Sequence, residues 1–155
     1  MNTEQTPITG KERKQDLAEP IRALSDFYEA FNNRDLAKMA NIWAQTDEIA
    51  MDNPVGGITR GWKEIKAVYE RIFNGKAKVY VEFFDYTIHQ HGEMFYAVGR
   101  ERGELRIGET AINVVFRTSR IFQWMDGRWR QVHHHGSIEE PELLARYQRA
   151  VREGV

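Results

Sequence analysis

The chain contains no cysteine. Disulfides, thiolate metal sites and cysteine nucleophiles are therefore excluded. It has almost no net charge, −1 at neutral pH, so no global electrostatic pull toward nucleic acid or membrane is expected. No apolar run approaches the ~20 residues needed to cross a bilayer. The N-terminal stretch MNTEQTPITGKERKQ has no apolar core of the signal-peptide kind, and a cytoplasmic location is the expectation. Internal repeats are also missing. What remains is a chain of 155 residues, 41% hydrophobic and 29% charged, the balance of one globular domain. Four Trp, six Tyr and eight Phe can fill one core and leave some aromatics for a pocket or an interface.

Residues 1–15 are polar and expected to be flexible. Asp16 with Glu19 forms a possible capping box. Leu17, Ile21, Leu24, Tyr28 and Phe31 follow at helical spacing. Asn32, Asn33, Arg34 and Asp35 read as a helix end and a fresh cap, and a short second helix follows with Leu36, Met39, Ala40 and Trp43. Glu48–Asp52 reads as a short strand, broken by Asn53-Pro54-Val55-Gly56-Gly57. Thr59–Asn74 reads as a third helix, carrying Trp62, Ile65, Tyr69 and Phe73 and ended by Gly75. From residue 76 the period changes to two. Segments 78–90, 94–102, 110–124 and 128–138 are expected strands, with hairpin signals at His91-Gly92 and Asp126-Gly127. The run 100–106, RERGELR, reads as a solvated edge. Residues 139–155 are expected to form a C-terminal helix. The expected fold is α+β: a cone-shaped curved antiparallel sheet covered by three N-terminal helices, with a domain over 16–138. Such a cone has an open mouth and a natural small-molecule pocket.

The order of elements, NPVGGITRGWKEI after the short strand and DGRWRQVHHHGS on the last strand resemble the SnoaL-like branch of the nuclear transport factor 2-like superfamily. The resemblance covers roughly Asp16 to Ile138. That superfold hosts ketosteroid isomerase, dehydratases, polyketide cyclases and non-catalytic modules, so it implies fold more firmly than function. Ketosteroid isomerase is a worked example of carboxylate-base and oxyanion-donor chemistry. Aligned with it, the base position is Asn53, the tyrosine position Phe27 and the acidic donor position Ser119 or Arg120. Asn53 cannot act as a base, Phe27 cannot donate a hydrogen bond and the acidic position holds no carboxyl group, so isomerase catalysis by that mechanism is not expected. Ser119-Arg120-Ile121-Phe122, Asp126-Gly127 and Trp129 through Val132-His133-His134-His135-Gly136-Ser137 also resemble the association domain of calcium/calmodulin-dependent kinase. That resemblance implies a cavity with two arginines, Arg100 and Arg120, and Gly136 where a third would stand.

Strand alternation splits the histidine triplet. His133 and His135 share one face with Trp129 and Gln131; His134 shares the other with Arg130, Val132 and Gly136. The resemblance implies that His134 faces the cavity. The candidate ligand-binding set is Arg100, Arg120 and His134 for a charge, Asn53 and Tyr69 as neutral partners, and Trp43, Trp62, Phe116 and Phe122 as aromatic walls. For Arg100 and Arg120 three readings stand: an internal ion pair with a carboxylate such as Asp52 or Glu101, a strand-end arginine reaching solvent, or a clamp on a carboxylate-bearing ligand. His134 is either a core-lining imidazole or an acid/base group. No catalytic residue, metal or cofactor is assigned. The expected partners are a small, partly apolar and anionic molecule and a second copy of the chain, joined through the outer sheet face that bears Val115, Ile121, His133 and His135. A lyase or isomerase using His134 is the alternative, with Asp52 as its orienting carboxylate if that residue rather than Asn53 faces inward. A structural oligomerisation domain is the third reading.

Overall fold

The structure is a computed structural model and describes residues 5–154. Its helices are α1 (Ile21–Asn32), α2 (Leu36–Ile42), α3 (Trp62–Asn74) and α4 (Pro141–Glu153). Its strands are β1 (Ala50–Asp52), β2 (Thr59–Arg60), β3 (Lys78–His91), β4 (Met94–Ile107), β5 (Thr110–Met125) and β6 (Arg128–Ser137). They form one six-stranded sheet in the order β2-β1-β6-β5-β4-β3. Neighbours run antiparallel except β1, which pairs parallel to β6. The sheet curves without closing, and the helices fill its concave side: an α+β cone.

Local sequence explains most element boundaries. Asp35 caps α2 by accepting from the Lys38 backbone N–H at 2.9 Å, as a short acidic side chain does at a helix start. Asp126 and Gly127 both have positive φ, the requirement of a tight two-residue hairpin. The Asp16/Glu19 box is not built. Lys14–Asp16 forms a separate short 3₁₀ turn, tied by Arg22 to the Lys14 and Leu17 carbonyls, and α1 begins only at Ile21. The third helix begins at Trp62, because Thr59 and Arg60 pair with β1 instead.

Part of the 1–15 segment, expected to be flexible, is docked; residues 1–4 lie outside the described ones. Ile8 is buried and exchanges backbone hydrogen bonds with Phe83 at 2.8 and 2.9 Å. Asn32 at the end of α1 pairs through its amide with both backbone groups of Val81. Together these contacts cover the outer edge of β3, which would otherwise offer unpaired backbone to another strand.

The 100–106 run is not a solvated edge. It lies in β4, bonded to β3 on one side and β5 on the other. Arg102 and Arg106 are exposed and Arg100 and Glu104 half-buried, but Glu101 and Leu105 are buried. Gly103 marks the tightest approach. A Cβ there would stand 1.8 Å from the Tyr80 carbonyl oxygen, so β3 and β4 follow this path only because the residue has none.

Candidate functional site

The concave face of the sheet is set by alternation along the central strands. On β4 it carries Phe95, Ala97, Glu101 and Leu105; on β5 it carries Phe116, Thr118, Arg120 and Phe122. On β6 the alternation breaks. Phe122 lies opposite Gln131, yet Ile121 lies opposite His133, so Val132 is an extra residue. This bulge turns Trp129 and Gln131 inward on one side and His134 and Gly136 inward on the other. Strict alternation put Trp129 and Gln131 outside with His133; both are buried instead, and that placement is corrected by the bulge, while His134 is buried as well and Val132 packs partly buried against the core. Bulges commonly re-aim side chains beside a site in this way.

Arg120 is the hub of that interior. Only 2% of it is exposed. One Nη donates to Glu101 Oε1 at 2.7 Å, the other to Gln131 Oε1 at 2.9 Å, and Nε donates to the Tyr28 hydroxyl at 3.3 Å. Tyr28 in turn donates to Glu101 Oε1 at 2.7 Å. The guanidinium lies 3.6 Å over the Phe27 ring, close enough for a cation–π contribution. The internal-pair reading of Arg120 is therefore the observed one, with Glu101 as partner. Burial pushes the Tyr28 hydroxyl well above its ordinary pKa, and burial pushes Tyr69 up to about 12. Both stay protonated at neutral pH and act as hydrogen-bond groups.

Beside this network is a narrow cavity of about 50 Å³. Its polar lining is Glu101, Thr118, Arg120 and His134, with Asn53 and Tyr69; its apolar walls include Phe27, Phe31, Phe116 and Tyr147. His134 lies directly opposite Arg120 across β5 and β6. Its ring rests over Gly136, where a Cβ would come within 3.2 Å of Nε2, so the small residue makes room for the imidazole. Burial first, and then the charge of Arg120, hold His134 well below the ordinary histidine pKa. It is neutral at pH 7. Two buried polar atoms of cavity-lining residues, His134 Nδ1 and Thr118 Oγ1, make no hydrogen bond of good geometry among the described residues, although the Ser119 backbone lies near enough to the imidazole to favour its protonated form against that burial. Buried polar groups are nearly always paired, so these two mark where a ligand or water can bond.

The expected set divides. Arg120, His134, Asn53, Tyr69 and Phe116 meet at the cavity. Arg100 does not, because it sits on the convex face of β4, where it pairs with Asp85 at 2.5 Å and approaches Glu139 at 3.6 Å. Trp43 stands behind the wall, fully buried, and donates its indole N–H to the Tyr69 hydroxyl at 3.2 Å. Trp62 opens α3, seven residues and so about 10 Å of helix before Tyr69. Phe122, two residues beyond Arg120, stacks on Phe95 at 4.6 Å in the core. Asp52 points outward, where it bonds His135 Nδ1 and lies 3.6 Å from His133 Nε2. Asn53 is the member of that pair that lines the cavity, so Asp52 cannot orient His134. Glu101, Tyr28 and Gln131 were not among the expected site residues. Glu101 was legible as the inward member of the Phe95, Ala97, Glu101 series. Gln131 was not, because no residue type announces a bulge.

A profile of the SnoaL-like domain matches residues 21–140. The chain belongs to the SnoaL-like family. It is 24% identical over 139 residues to the F-box protein SKIP8 of Arabidopsis thaliana, covering 86% of this chain and 55% of that protein. The SnoaL-like chain thus spans about half the length of that relative. Among solved structures, one from Thiobacillus denitrificans is described provisionally as an association domain of calcium/calmodulin-dependent protein kinase type II; it superposes with a TM-score of 0.63 at 22% identity, over 78% of this chain and 95% of that one. Another, from Streptomyces avermitilis, is described provisionally as a dehydratase of the nuclear transport factor 2-like family, with a TM-score of 0.66 at 16% identity, over 76% and 91%. At these identities the structures share the fold.

Two outcomes follow from the network. Removing one partner of a buried pair leaves an uncompensated charge and typically costs about 3–5 kcal/mol. Arg120→Met and Glu101→Gln should each lower stability strongly, and the double variant should cost clearly less than their sum. Denaturant titration of all four proteins reads this directly; strict additivity would show the pair to be uncoupled. For His134 the folded pKa is depressed, so the unfolded chain binds the extra proton below about pH 6.5. Its contribution is complete above that pH and lost as pH falls, at up to about 1.4 kcal/mol per pH unit. His134→Gln should flatten the stability profile below pH 6.5, and an unchanged slope would contradict the buried neutral assignment.

Proposed function

We propose that this SnoaL-like chain binds a small, partly apolar molecule in the cone, with the ligand's polar head against Thr118, His134 and Glu101. The observation that carries this reading is the pair of polar atoms without a well-formed hydrogen bond, His134 Nδ1 and Thr118 Oγ1, on residues that line a largely apolar cavity. The expected anion clamp of Arg100 and Arg120 does not support it, since Arg100 lies outside and Arg120 is already neutralised by Glu101. A charged head entering the cavity would lose its water without gaining a free counter-charge. The head group that fits is a hydroxyl, carbonyl or amide. In a thermal-shift panel of small alcohols, ketones and amides with apolar tails, saturating binders should raise Tm by several degrees. His134→Phe should abolish the response. A panel with no stabiliser, or equal shifts in His134→Phe, would sink the reading.

A second reading, a lyase of the dehydratase kind, has one observation in its favour. A neutral imidazole with a free ring nitrogen and a carboxylate share one buried cavity, and a neutral His can take a proton. The Streptomyces neighbour is consistent with it. The same panel, followed for loss of water from β-hydroxy ketones, separates turnover from binding.

Self-association is proposed through the convex sheet face. Tyr96, Val98 and Val115 are each more than 40% exposed there, an apolar set that a second copy would cover. The neighbour described as an association domain is consistent with self-association. Light scattering should give a multiple of the chain mass, reduced to the monomer by Val98→Glu. A wild-type monomer at sub-millimolar concentration would refute it.

A further inference from the structure

The inner cavity is too small to contain a ligand of ordinary size. Its volume of about 50 Å³ compares with the roughly 150 Å³ cavity that takes up benzene. A molecule with its head at His134 must therefore extend outward past the rim. Asn53 and Ile72 form part of that rim, and both also line an adjoining groove of about 310 Å³ between the 53–59 loop, α3 and α4.

The chemistry of this second space differs from the first. Val68, Ile72 and Val151 give it an apolar floor, and its charged lining is two arginines, Arg71 and Arg152, with no carboxylate. Among the described residues neither arginine takes part in an ion pair. Arg152 donates one hydrogen bond, to the Val55 carbonyl, and Arg71 donates none. Most other arginines near the sheet are matched: Arg100 by Asp85, Arg102 by Glu82, Arg106 by Glu104 and Arg120 by Glu101. Each groove arginine stands in the last turn of its helix, where the helix dipole favours a cation. That accounts for each one separately. It does not account for two of them converging, without an acid, on the space outside the cavity mouth.

The geometry points to a two-part binding site: a neutral polar head bound at Thr118 and His134, and an oxyanion tail, carboxylate or phosphate, bound by Arg71 and Arg152. The ligand is then an elongated molecule with a hydroxyl or carbonyl at one end and an acid at the other. Guanidinium groups suit such a tail because their fixed fork matches its oxygens. This site deepens the cavity reading above and rests on it.

The test uses ω-hydroxyalkanoates from butanoate to decanoate, the corresponding neutral diols, and an ω-hydroxyalkyl phosphate of the best chain length. Calorimetry is run on the wild type, on the double variant Arg71→Gln/Arg152→Gln and on His134→Phe. One hydroxy acid should bind at least about tenfold more tightly than its diol, the effect of a charge-assisted hydrogen bond. The arginine variant should lose that advantage while binding the diol as the wild type does, and His134→Phe should weaken both. The phosphate arm tells which oxyanion the groove prefers. Both arginines are exposed, and an unchanged Tm without ligand controls for folding. Equal affinity of acid and diol, or an arginine variant that keeps the preference, overturns the tail site and leaves the cavity reading in place. No binding by any acid or diol overturns both.

Discussion

The buried pair between Arg120 and Glu101 is the constraint around which the concave side is arranged. A charge taken from water into a protein interior costs several kcal/mol unless it is matched and hydrogen-bonded. Here the match draws on four elements. Arg120 comes from β5, Glu101 from β4, Gln131 from β6 and Tyr28 from α1. Each must sit where it does for the guanidinium to be satisfied, so the pair ties α1 to three strands at once. Such a network is fully satisfied in only one arrangement of these elements. A slip of α1 along the sheet would separate Tyr28 and Phe27 from the arginine and leave its charge buried without its partners.

The bulge at Val132 makes this arrangement possible. A regular β6 would place either Gln131 or His134 on the inner face, never both, because three positions separate them and alternation has a period of two. The extra residue resolves that parity. Gln131 reaches one end of the guanidinium while His134 sits opposite Arg120 on the cavity side. The outer face gains as well. His133 and His135 both turn toward Asp52 of β1, which ties the parallel pairing of β1 with β6 on the side away from the cavity. The histidine triplet is thus divided between two jobs by a single local irregularity.

This explains what the sequence could and could not disclose. Helix faces and strands followed from periodicity, because burial imposes 3.6 or 2 residues per repeat on whichever side chains are apolar. The inward face of His134 came from resemblance to relatives, not from spacing. The error in RERGELR has a plain cause. A central strand with exposed charges on its convex side looks polar throughout, and Glu101, the inward member, is charged too. Its burial depends on an arginine nineteen positions later, which no local window connects. Arg100 and Arg120 carry the same side chain on strands of similar composition. Only the phase of the alternation, one facing Asp85 and the other Glu101, assigns them to opposite sides of the sheet.

Phase also decides the electrostatics of the interior. With Arg120 matched by Glu101 and His134 held neutral by burial, the enclosed end of the cone has no net charge at pH 7. Had Arg100 shared that face, the cavity would hold an unmatched cation and would select anions by charge. As built, selection inside must come from hydrogen-bond geometry and shape, because a buried ionic head would find no free counter-charge to repay its lost hydration. The uncompensated cations lie beyond the rim, where solvent keeps guanidinium groups charged at little cost. A cone of this construction separates the two tasks by depth. Neutral recognition belongs where water is excluded, and charge recognition where it is not.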